Sequence, residues 1–103
     1  MTKAEYMRRL LNLELEGENL KDRAELAAQT SEFLTSETDK LDAVIDDPNK
    51  TWEERNEATK KLESLIKRMA MELEFMNKIE KDLQDHALRF REMKKLFKQI
   101  EDL

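Results

Sequence analysis

A chain of 103 residues with 42% charged and 39% hydrophobic residues, one Gly and one Pro has the profile of one small domain of long helices, with little material for loops. The lack of cysteine excludes a disulfide framework and thiol chemistry, and a single glycine excludes a glycine-rich phosphate loop. The net charge of −5 argues against a general nucleic-acid binder.

The first twenty residues carry charge throughout, so they hold no signal-peptide apolar core, and no run approaches the ~20 apolar residues of a membrane span. A cytoplasmic protein without membrane contact is expected. Thr2 and Glu5, in "TKAE", fit a capping box and predict a helix from about residue 3. From there a 3–4 spacing selects Tyr6, Leu10, Leu13, Gly17, Leu20, Ala24, Ala27, Ser31, Leu34, Thr38, Leu41 and Ile45, none of them charged. Gly17 followed by Asn19 offers an alternative, a break that would give a three-helix arrangement. The unbroken apolar phase favours continuity. Pro48 cannot donate to a helical ladder and biases Asp47 away from helix, so helix 1 should end near 46 and the turn should cover 47–51.

A second capping box, Thr51 and Glu54 in "TWEE", predicts helix 2 over about 52–102. Capping does not require Trp52. Its indole is expected to cover Val44 and Ile45; otherwise it stands exposed as a binding anchor. Along helix 2, Leu62, Met69, Met76, Leu83, Phe90 and Phe97 recur every seven residues, with Leu65, Ile66, Leu73, Ile79, Ala87, Met93 and Ile100 beside them. Heptads sustained this long predict an all-α fold: an antiparallel two-helix coiled-coil hairpin that dimerises into a four-helix bundle. A turn centred near residue 49 would set small Ala24, Ala27 and Ser31 against the Met69–Phe75 stretch, and Gly17 near Leu83.

Large apolar residues remain off this seam. Leu26, Phe33, Met71 and Phe75 should cluster at mid-height, and with Trp52 they are the candidate protein-interaction residues. Charge is uneven: Glu25 to Asn49 holds seven acids and the one base Lys40, while Arg89 to Lys98 holds five bases and the one acid Glu92. Arg8, Arg9, Arg89, Arg91, Lys94, Lys95 and Lys98 are candidate phosphate-binding residues. No base-stacking aromatics accompany them in a groove pattern, so nucleic acid is the lesser expectation. His86, the only histidine, lies near Asp82 and Asp85, but neither a Glu-x-x-His pair nor a second histidine is present, so no metal site is expected. A lone histidine and scattered serines give no triad, so no catalytic residue and no cofactor are expected.

The function expected is therefore a non-enzymatic protein-protein interaction module: a small adaptor, chaperone, inhibitor or assembly subunit. It would act as a homodimer with a protein partner, and its size fits a bacterial or phage-encoded regulator. The alternatives are a nucleic-acid-binding helical dimer using the basic end, and a structural subunit of a virion or secretion assembly.

Overall fold

The computed structural model describes all 103 residues as two α-helices, α1 over Lys3–Asp46 and α2 over Trp52–Phe97, with no strand. Neither helix is long and apolar enough to cross a membrane. Both starts are capped by threonine. The Thr2 hydroxyl accepts from the Glu5 N–H at 3.2 Å and the Thr51 hydroxyl from the Glu54 N–H at 3.1 Å. The Glu54 carboxylate pairs with Lys50 at 3.8 Å. Thr51→Ala should lower stability by about 1 kcal/mol in a urea titration followed by circular dichroism; an unchanged midpoint would count against this cap.

Between the helices the Asp47 carboxylate accepts from the Asn49 N–H at 2.9 Å, which shapes the turn around Pro48. The last turn of α1 carries no base of its own. Arg55 of α2 supplies one, its Nε donating to the Ile45 carbonyl at 2.9 Å. α2 ends at Phe97, short of the expected 102, because the tail is used otherwise. Glu101 N–H donates to the Met1 carbonyl at 2.9 Å, the Met1 ammonium donates to the Gln99 carbonyl at 3.0 Å, and Asp102 accepts from the Lys3 N–H at 2.7 Å. The Asp102 side-chain carboxylate thus caps the start of α1.

The chain divides into two compact units, Met1–Ala24 with Asn77–Leu103, and Glu25–Met76. In the first, Leu13, Leu20, Ile79 and Met93 are buried. The Tyr6 hydroxyl donates to the Met93 carbonyl at 3.3 Å and its ring meets Phe97 edge-on at 5.8 Å. Gly17 lies in α1 without a positive φ, and it faces His86 rather than Leu83. A Cβ on Gly17 would stand 2.9 Å from His86 Cε1, so glycine here makes room for a ring. His86 Nε2 donates to the Leu13 carbonyl at 2.6 Å, and its ring packs edge-on against Phe90 at 4.9 Å. Ion pairs Glu16–Arg89, at 2.7 Å, and Arg23–Asp82, at 3.3 Å, cross between the segments on one side. All four side chains are partly exposed, so each pair contributes ~1 kcal/mol at most.

In the second unit Ala27, Leu34 and Ala58 are buried, and Leu62, Leu65, Met69 and Glu72 are half-buried. Buried Thr38 satisfies its hydroxyl locally, donating to the Thr35 carbonyl at 2.9 Å. Ser31 Oγ donates to Met76 Sδ at 3.5 Å, so the pairing runs several residues further along α2 than a turn centred on 49 implies. The cause is local. The first turn of α2 is capped and exposed, and packing begins only around Arg55 and Ala58.

Candidate protein-interaction surface

α1 meets its partner with two columns of mostly small residues: Ala27, Ser31, Leu34 and Thr38 in the second unit. α2 carries three apolar columns there. Ala58 and Leu65 form one, Leu62, Met69 and Met76 another, and Ile66 and Leu73 the third. Two columns can face one helix, whereas three suit a helix with more than one neighbour. The third column is therefore left outside. Ile66 is 53% and Leu73 61% exposed, contrary to their expected place in the seam, and Ala87 in the first unit is exposed for the same reason.

Trp52 belongs to this outer column. Trp52, Thr59, Ile66 and Leu73 follow one another at intervals of seven. The indole is 76% exposed and does not cover Val44 and Ile45, because it sits in the turn that precedes packing. Beside the column a groove of 280 Å³ opens between Ser31, Leu34 and Thr35 of α1 and Met69, Leu73 and Met76 of α2.

Leu26, Phe33, Met71 and Phe75 are all exposed. Counting about 100° per residue from the buried positions, all four fall on the flank opposite the groove. The second unit thus has two apolar flanks. One holds these four residues; the other holds the groove and the Trp52 column. Ile66 and Leu73 are the interaction candidates that sequence reasoning placed in the core. The seven-residue beat with Trp52 was the signal for them.

The seven basic candidates do not form one patch. Arg9 and Arg89 line a cleft of 240 Å³ that also contains Glu16 and Glu92. Arg89 is engaged twice, with Glu16 at 2.7 Å and Asp85 at 3.4 Å. Arg91, Lys94 and Lys95 share a separate face of α2 at i, i+3 and i+4 spacing, with Lys98 just past its end, while Arg8 is exposed on α1. Around His86, Asp82 pairs with Arg23 and Asp85 with Arg89. No family model matches the chain, nor does any of the curated proteins or solved structures compared with it.

Proposed function

We propose that this chain is a non-enzymatic protein-interaction module that works as a homodimer, as a small adaptor, chaperone, inhibitor or assembly subunit in the cytoplasm. The observation that carries the reading is the placement of apolar side chains. Fifteen large ones stand exposed, against seven hydrophobic residues in the core. Scattered exposed apolars are ordinary, but matched flanks at helical spacing are the mark of helix-on-helix contact. The chain has no cysteine for disulfides, so association is the remaining common route to a larger core in so small a protein.

The flank of Leu26, Phe33, Met71 and Phe75 is assigned to the second copy. Sedimentation velocity checks it: Phe75→Glu should raise the dimer dissociation constant at least about tenfold. An unchanged constant would remove this flank from the dimer contact. The nucleic-acid alternative has weaker support, because only Arg91, Lys94, Lys95 and Lys98 of the seven bases lie together, and Arg89 is already paired with acids. If that alternative holds, single-stranded RNA or DNA should bind at low salt, and Arg89→Ala with Arg91→Ala should flatten the salt dependence. The protein-binding reading expects no binding.

A further inference from the structure

We infer that the groove flank of the second unit is a docking site for a basic amphipathic helix of a partner protein. This rests on the protein-binding reading above but not on the homodimer, whose contact lies on the other flank. Shape states what kind of segment fits. The column Trp52, Ile66, Leu73 runs along α2 beside a groove of 280 Å³ floored by Leu34 and Met69. An elongated apolar column beside a shallow groove, on a helix that already has one helical neighbour, accommodates another helix.

Charge states which helix. Next to the column α2 presents Asn56, Glu63 and Ala70, with no base. Across the groove, Ser31 and Thr35 also border a hollow that holds Glu32, Asp39 and Lys40. Helical rotation brings Asp42 and Asp46 to the same side. The only base in this stretch of α1, Lys40, is paired with Glu37 at 3.2 Å, and Arg55 is held on the Ile45 carbonyl at 2.9 Å. An apolar column bordered by a run of acids on α1 and by Glu63 on α2 complements an apolar stripe bordered by lysine and arginine. It repels a second copy set face to face on the same flank, which would bring those acids against one another.

The single tryptophan makes the site readable. The probe is a Trp-free helical peptide of leucine and lysine about 20 residues long, ~30 Å, enough to run from Leu73 to Trp52. A leucine and glutamate peptide is the control. The basic peptide should shift Trp52 emission to the blue and weaken at least about tenfold from ~50 to ~500 mM salt, while the acidic peptide leaves the emission unchanged. Leu73→Glu, and separately Asp39→Lys with Asp42→Lys, should weaken binding at least about tenfold, with Leu11→Glu, at an exposed residue of the first unit, neutral within about twofold. Circular dichroism checks that each variant is folded. Absence of binding, or binding indifferent to both Leu73→Glu and the aspartate changes, overturns the inference. So does a blue shift that grows with protein concentration alone and vanishes in Leu73→Glu, since a second copy would then cover the groove. A monomeric mass with peptide binding intact would instead overturn the homodimer and leave this site standing.

Discussion

Leu34→Ala is expected to lower the unfolding free energy by about 3 kcal/mol. Leu34 is 1% exposed and is the only large side chain that is fully buried. Trimming its isobutyl side chain to a methyl takes away transfer free energy and leaves a void beside the neighbouring groove, which the helices can close only in part. Small domains have total stabilities of about 5–15 kcal/mol, so this one change consumes a large share. Leu26→Ala, at a residue 63% exposed on the flank of the same helix, should cost under ~0.5 kcal/mol in the isolated chain. Denaturant titration of both variants checks the pair. Equal costs would mean that the seam of α1 has been assigned to the wrong face.

Gly17→Ala should destabilise, although alanine is the better helix former by about 1 kcal/mol. The added methyl would lie 2.9 Å from His86 Cε1, closer than such atoms pack, and a tight 3.2 Å from Nε2. The ring has little freedom to yield, since it is anchored on the Leu13 carbonyl at 2.6 Å and packed on Phe90. Displacing it loses about 1 kcal/mol of hydrogen bonding and adds ~1–3 kcal/mol of overpacking, so crowding outweighs propensity by about 1 kcal/mol or more. In a His86→Ala background the obstacle is gone, and the same Gly17→Ala change should stabilise by about 1 kcal/mol. The double-mutant cycle should therefore show a coupling of about 2 kcal/mol and a change of sign. A Gly17→Ala effect of the same sign in both backgrounds would contradict the contact.

These two sites show what can be read from the sequence. Capping threonines, the turn at Pro48 and the twelve-member seam of α1 are local signals, and local spacing settles them. The register is not local. It depends on how much of the first turn of α2 passes the end of α1 before packing begins, and no residue pattern states that. Gly17 opposite His86 therefore became clear only with both helices in place. The three columns of α2 were legible as apolar, but their ranking was not. Ile66 and Leu73 are as hydrophobic as Leu62 and Leu65, and only the narrow, small-residue face of α1 decides which pair is covered. Trp52 follows the same logic: its cap was readable, its exposure was not. The charges were visible as a count, whereas the pairing of Arg89 with Glu16 and Asp85 needed the fold.

On the reading proposed above, this chain's helical flanks are covered by protein, beginning with a second copy. The most direct test is the mass of the purified chain by multi-angle light scattering across a concentration series. About twice 12.3 kDa is expected, falling toward the monomer on dilution and in Phe75→Glu. A mass of 12.3 kDa that persists at the highest concentration would contradict it.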